Sequence, residues 1–292
     1  MRSGENLQMA MQADHIERPT ASPAPANALT ALEACLREAG QVVVAVSGGV
    51  DSMTLAHVAH RTLGSGAAMV HAVSPAVPQA ATARICRHAR AQGWALAVFD
   101  AGEFGDEAYR ENPVDRCFYC KKNLYSSIAA RLPGATIASG TNIDDLGDFR
   151  PGLDAAKAEN VLHPFVVAGL DKPAVRALAR HLELDDLADL PAAPCLSSRV
   201  ETGIRIEADA LVMIDEIEAM IIEEADPATA RCRLRRDGIV LEIDAPSLAA
   251  LDEKKTERLA DHARAIARQH GHEDPVSLAP YRMGSAFLRD AL

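Results

Sequence analysis

Twelve residues, QVVVAVSGGVDS from Gln41 to Ser52, constrain the fold more tightly than any other part of the chain. A run rich in β-branched residues favours a strand, and a run with no polar alternation belongs in a sheet covered on both faces. The strand ends in a hydroxyl and two glycines. Asp51 and Ser52 then open a helical stretch, DSMTLAHVAHRTLG, that closes on Gly64. The alternation extends in both directions. LTALEACLREAG from Leu29 has helical spacing, AAMVHAV and ALAVFD read as strands around a helix from about Pro78 to Gln92, and a helix near Asp115 to Leu132 precedes the strand ATIASG. Strands and helices in turn imply the α/β class, a parallel sheet with helices on both faces. Ligands of such sheets bind at the carboxyl ends of the strands.

After Gly203 the pattern changes. RIEADALVMIDEIEAMIIEEAD reads as an amphipathic helix with an acidic face, ARCRLRRDGIVLEID as two strands around Asp237-Gly238, and SLAALDEKKTERLADHARAIARQHG as another helix. A chain of 292 residues leaves room for two cores. The expected organisation is therefore a Pro/Ala/Ser-rich, disordered extension over residues 1–28, an α/β domain over 29–203 and a smaller α+β C-terminal domain over 204–292.

Composition narrows the partners. No apolar run has the length of a membrane span, and the N-terminus lacks the apolar core of a secretory signal, so a cytoplasmic location with no membrane partner is expected. Thirty Lys and Arg against 41 Asp and Glu give a net charge of −11, which disfavours a broad nucleic-acid surface and favours a small-molecule substrate. Six cysteines in such a chain do not suggest a disulfide framework. Cys35, Cys86 and Cys232 read as packing residues.

The turn after the first strand has the chemistry of an anion cradle. Gly48 and Gly49 let backbone N–H groups approach a phosphate without Cβ interference, Ser47 and Ser52 add hydroxyls, and the helix opened by Asp51 directs its positive dipole end at the same point. It lacks the Lys of a Walker A loop and differs from the dinucleotide GxGxxG pattern. Further on, SGTN again follows a strand, with Gly140 permitting close approach and Thr141 and Asn142 able to hydrogen-bond a nucleotide or its substrate. Asp144, Asp145 and Asp148 come directly behind it. Carboxylates so close to a phosphate site suggest magnesium or pairing with Arg150; the alternative is a solvated acidic turn capping the next helix.

Cys117 and Cys120 lie one helical turn apart, with Arg116, Lys121 and Lys122 beside them to favour thiolate. The spacing suits a structural, redox or metal-binding role, and Cys195 can supply a third ligand. Cys195 itself sits in PCLSSR, a loop ending at Arg199, where a packing cysteine is uncommon. In RCRLRRDG, Arg233 and Arg235 share one face of a strand and suit a phosphate, or else form a basic edge that discourages aggregation.

SGGVDS resembles the PP-loop of the ATP pyrophosphatase superfamily. That resemblance implies that Ser47, Gly48, Gly49, Asp51 and Ser52 hold the pyrophosphate portion of ATP with magnesium. NPVDRCFYCKKNLY, SGTNIDDLGDFRPGLDAAKAENVLHPF and PAAPCLSSRVETG, taken in this order with SGGVDS, resemble the LarE family. Its members are ATP-dependent sulfur transferases that make the thiocarboxylates of the nickel-pincer nucleotide cofactor. Taken with the SGTN chemistry, the expected ATP-binding set includes Gly140, Thr141 and Asn142, with Asp145 a candidate for magnesium. Cys195 matches the sulfur-bearing position; with Cys117 and Cys120 it matches members that bind a 4Fe-4S cluster through three cysteines, while other members consume the cysteine sulfur. Arg199 is expected to steady developing charge or orient the acyl phosphate, and Arg233 and Arg235 to hold the substrate phosphate. A sulfur donor is an implied partner and a homo-oligomer the expected state. A thiolase of the same superfamily acting on tRNA or another small molecule, and a non-catalytic nucleotide or iron-sulfur sensor, are the alternatives.

Overall fold

The structure is a computed structural model that describes residues 22–147, 151–192 and 194–288. Most of the N-terminal extension, together with Asp148 and Arg150, lies outside the described residues. The chain forms two compact units, one from residues 22–74, 80–103 and 117–192, the other from 75–79, 104–116 and 194–288.

In the first unit a helix α1 (Pro25–Ala39) starts four residues ahead of Leu29, with a proline at its first position, and ends at Gly40, whose φ of +75° suits a residue without Cβ. Strand β1 (Val42–Ala45), helix α2 (Val50–Leu63), strand β2 (Ala67–Ala72), helix α3 (Gln79–Gln92), strand β3 (Ala95–Phe99), helix α4 (Arg116–Arg131) and strand β4 (Thr136–Ala138) follow. All four strands are parallel, in the order β3-β2-β1-β4. The α/β reading is thus the fold. Side chains along β1 alternate between two cores, as the strand period requires: Val42, Val44 and Val46 enter a large cluster with α1, α2 and helix α6 (Lys172–His181), whereas Val43 joins Val70, Ile137, Tyr125 and Ile128 on the opposite face. Helix α5 (Pro151–Ala158) adds Ala156 to that second cluster, and Leu162 pairs beyond β4 through Leu162 N to Ile137 O and Ser139 N to Leu162 O.

The strand order matters for the site. From β1 the chain winds outward through β2 to β3, then returns to place β4 on the other side of β1. Such a reversal opens a crevice at the carboxyl ends of the two central strands. The segments leaving β1 and β4 there are Ser47–Ser52 and Ser139–Asn142.

The second unit contains helix α7 (Ala208–Ala225), a hairpin of β5 (Ala230–Arg235) and β6 (Gly238–Ile243), helix α8 (Glu253–Gln269) and a strand β7 (Val276–Pro280) parallel to β6. The sequence pattern places the two helices and the hairpin but gives no sign of β7. The α+β character holds, with a three-stranded mixed sheet. Among the described residues, no helix is long and apolar enough to cross a membrane.

Leu178 on α6 is completely buried in the large cluster, whereas Val167 is 39% exposed. Truncation of Leu178 to Ala should cost about 2–5 kcal/mol, while Val167→Ala should stay within about 0.5 kcal/mol. Urea unfolding midpoints check the contrast.

Candidate functional site

The loop after β1 is shaped by its own side chains before any ligand is considered. Val46 N makes the last ladder bond to Val70 O at 2.8 Å, and the chain then turns. Ser47 N donates to Ser52 Oγ at 3.0 Å, the two serine hydroxyls are 3.1 Å apart, and Ser52 Oγ donates to Gly49 O at 3.3 Å. Gly48 has φ of +81°, and a Cβ there would come within 2.9 Å of Ala81 Cβ and 3.0 Å of its carbonyl oxygen. A glycine is therefore required by both backbone and space. The first turn of α2, which starts here, presents N–H groups that lack intrahelical acceptors.

The second loop is pressed onto the first. A Cβ on Gly140 would lie 2.7 Å from Ser52 N and 2.9 Å from the carbonyl carbon of Asp51. Asn142 Nδ2 donates to Asp51 Oδ1 at 3.3 Å, and Lys172 Nζ pairs with the same carboxylate. Asn142 Oδ1 accepts from Asp144 N at 3.0 Å, Asp145 Oδ2 accepts from Asn142 N at 3.1 Å, and Asp144 Oδ2 accepts from Lys172 N at 3.0 Å. In these contacts Asp144 caps the start of α6 and Asp145 closes its own turn. Asp51, Ser52, Gly140, Asn142 and Asp145 are thus brought together.

Thr141 is linked to this site through two buried groups. Ser139 Oγ stands 3.0 Å from Thr141 Oγ1 and 2.8 Å from His163 Nδ1. Burial pushes His163 down to about 4; Lys121 acts in the same direction and Asp145 against it. His57 on α2 is also pushed down to about 4, by burial and then by His88, with Arg61 and His60 in the same direction and Asp186 opposing.

In the second unit, Cys195 is exposed, at the start of a short 3-10 turn over Leu196–Arg199. The loop is held on several sides. Leu196 N donates to Ala76 O at 2.8 Å, Tyr109 Oη and Ser197 Oγ are 2.6 Å apart, and Val200 bridges Leu234 of β5. Arg199, 2% exposed, donates Nε and Nη2 to the two oxygens of Glu218 at 2.9 Å each, and Nη1 to Pro194 O at 2.5 Å and Cys195 O at 3.1 Å. In these contacts the Arg199 donors are engaged by Glu218 and by the carbonyls of the Cys195 loop, so the residue positions that loop. Arg233 and Arg235 do share a face, as the strand period predicts, and both meet Glu242 of β6 at 2.9 and 2.7 Å. Arg233 also donates Nη1 to Ser198 O at 3.1 Å, so a second guanidinium supports the cysteine loop.

Cys117 and Cys120 occupy the first turns of α4, one turn apart, the former exposed and the latter half-buried. Gly152 packs closely there, as a Cβ would lie 3.0 Å from Lys121 Cγ and 3.5 Å from Cys117 O. The two thiols thus share one face at the start of the helix. Among the described residues, no group of three or more His, Cys, Asp and Glu side chains is gathered to hold a metal ion.

Sequence reasoning passes over four residues of these sites. Lys172 gives no motif signal beyond its place in DKP at a helix start. Arg84, which reaches Gly48, lies on a helix read only as a sheet cover. His163 stands in HPF without a partner at any recognisable spacing, and Glu218 hides in the acidic face of α7.

The switch point of the parallel sheet thus carries two glycine turns and a helix N-terminus, which together turn backbone N–H groups towards one edge. No family model matches the chain. An uncharacterized protein of Synechocystis sp. is 34% identical over 184 residues, covering 62% of this chain and 68% of that protein. The pyridinium-3,5-bisthiocarboxylic acid mononucleotide synthase of Lactiplantibacillus plantarum is 29% identical over 210 residues, 70% of this chain and 75% of the synthase. An uncharacterized protein of Methanocaldococcus jannaschii is 24% identical over 218 residues, 74% and 82% of the two chains. The chain belongs to the family represented by the Synechocystis protein, and its homology to the Lactiplantibacillus synthase supports the LarE family.

Two predictions follow from the buried ionisable groups. An unfolded histidine titrates near 6.5, while folded His57 and His163 remain neutral down to about 4. The unfolded chain binds more protons between those values, so stability present above pH 6.5 declines as the pH falls towards 4, by up to about 1.4 kcal/mol per pH unit for each histidine. His163→Asn should flatten that decline in urea titrations across this window; a slope equal to that of the unmodified protein would absolve His163. Glu218→Ala should cost about 3–5 kcal/mol, because it strands the Arg199 charge in the interior. Calorimetry reads that loss.

Proposed function

We propose that the chain is an ATP-dependent sulfur transferase. It adenylates a carboxylate of pyridinium-3,5-biscarboxylic acid mononucleotide, releases pyrophosphate and inserts sulfur to give a thiocarboxylate for the nickel-pincer cofactor. One observation carries this reading: Gly140 is pressed onto Asp51 and Ser52, which joins the two motif loops into a single cradle, in a chain homologous to a synthase of that name. The family resemblance adds the four motifs in order.

In this reading Ser47, Gly48, Gly49, Asp51 and Ser52 receive the β and γ phosphates, and Gly140, Thr141 and Asn142 the rest of the nucleotide. Lys172 neutralises Asp51, which removes a negative charge that would otherwise oppose the triphosphate. Asp51 and Asp145 are the carboxylates that would hold magnesium, which supplies charge neutralisation for the leaving pyrophosphate. A carboxylate oxygen of the substrate attacks the α-phosphorus, the bond to the bridging oxygen breaks, and pyrophosphate departs. A sulfur nucleophile then attacks the acyl carbon and the C–O bond to AMP breaks. The family resemblance implies that Cys117, Cys120 and Cys195 would hold a 4Fe-4S cluster, which would supply sulfide-level sulfur for the transfer. Arg199 and Arg233 hold the backbone of the Cys195 loop, and Arg235, half-buried beside Arg233, would take the substrate phosphate.

The test is an anaerobic assay with ATP, magnesium, sulfide and the biscarboxylate nucleotide. Pyrophosphate and AMP should form in equal amounts, and Cys195→Ser should keep pyrophosphate release while forming no thiocarboxylate. No pyrophosphate from any of a panel of carboxylates would favour a non-catalytic sensor instead. Iron and labile sulfide should accompany the anaerobically purified protein and be lost in Cys117→Ala. Colourless, iron-free protein whose Cys195 becomes dehydroalanine during turnover would replace the cluster with a consumed cysteine.

A further inference from the structure

The cradle has no lysine of its own, and Lys172 is already paired with Asp51. A second cation reaches the loop from α3. Arg84 Nη1 donates to Gly48 O at 2.9 Å. Its position is fixed by two neighbours on the same helix. Ala81 lies against Gly48, leaving no room for a Cβ, and the Thr82 hydroxyl is 2.9 Å from His71 Nε2. The other nitrogen of that ring, Nδ1, is 2.9 Å from Val46 O, the last residue before the loop. Buried His71 therefore clamps the start of α3 to the end of β1, and Arg84 follows one turn later.

A guanidinium withdrawn from water is normally compensated by a carboxylate. Arg84 is half-buried, yet among the described residues no carboxylate lies within ion-pair distance of it. Asp186, whose field reaches it, is engaged by His88 at 2.9 Å and Arg87 at 3.7 Å. Burial lowers the pKa of Arg84, and Arg87 acts in the same direction. The group touching the loop is thus a carbonyl dipole, which satisfies one hydrogen-bond donor and leaves the charge without a counterion.

We propose that Arg84 is a nucleotide-binding residue, whose guanidinium takes the oxygens of the pyrophosphate portion of ATP beside the Gly48 turn. This rests on the reading of the cradle as an ATP site. Arg is suited to the task because its planar fork can keep Gly48 O on one N–H while offering others to phosphate oxygens. A lysine at the same place offers only a point charge.

Calorimetric titration of the full chain with magnesium pyrophosphate, magnesium ATP and AMP tests the proposal, on the unmodified protein, Arg84→Ala and Arg84→Lys. Arg84→Ala should weaken pyrophosphate and ATP about tenfold to a hundredfold, as expected for loss of a charged hydrogen bond, with AMP little changed. Arg84→Lys, which keeps charge and stem if the alanine variant unfolds, should restore part of the affinity. Pyrophosphate affinity unchanged in Arg84→Ala, an equal loss for AMP and pyrophosphate, or, where the alanine variant does not fold, no difference between AMP and pyrophosphate in Arg84→Lys overturns the inference and leaves Arg84 as a clamp on the loop. Unmodified protein that binds neither ATP nor pyrophosphate overturns the ATP reading itself and the inference with it.

Discussion

Gly140 has to lie flat against the backbone of Asp51 and Ser52, and much of the first unit follows from that contact. The strands β1 and β4 can be neighbours only if the turns leaving them share one small volume, and a single methyl group at Gly140 would collide with the amide nitrogen of Ser52. The contact brings Asn142 to Asp51, and the turn that Asn142 opens leads through Asp144 to the start of α6, which delivers Lys172 to the same carboxylate. Two loops and one helix are thereby locked around one acidic side chain. At an effective dielectric near 20, an opposite charge about 4 Å away is worth roughly 4 kcal/mol before desolvation and entropy are counted. That is enough for Lys172 to decide whether Asp51 opposes or tolerates an anion beside it.

The second unit is organised around buried carboxylates. Glu218 receives two donors of Arg199 and the backbone N–H of Cys232, while Glu242 receives Arg233, Arg235 and Ser285. Such pairs add little net stability compared with apolar packing, but they fix geometry because any displacement strands a charge. What they fix is the loop from Pro194 to Ser198: Arg199 holds two of its carbonyls and Arg233 a third. The exposed thiol of Cys195 is therefore carried on a rigid backbone rather than a free turn.

How much of this can be read in the sequence depends on the range of the interactions. Strand and helix periods are local, so the parallel sheet, the cradle at Ser47–Ser52 and the shared face of Arg233 and Arg235 are all visible in QVVVAVSGGVDS and RCRLRRDG. The partners of those residues are not local. Glu242 is separated from Arg233 by a hairpin, and Lys172 lies 121 positions from Asp51, so no spacing rule connects them. Arg199 illustrates the consequence. Its place beside Cys195 suggests chemistry, and only Glu218, on a helix whose acidic face looks solvated, turns it into a support. Strand β7 escapes notice for a related reason: VSLAP has one large apolar residue at its centre and, among the described residues, pairs with β6 alone.

The charge distribution supports a small ligand more strongly than the total charge alone does. A net charge of −11 gives a field that repels a polyanion over its whole length, and salt screens that field beyond about 10 Å. At the cradle the balance is local and different. Arg84 and Lys172 approach Gly48 and Asp51 from separate helices, one cation paired and the other facing only a carbonyl. A compact anion at the cradle would lie within a screening length of both. An extended nucleic acid would instead meet the net negative field over its length.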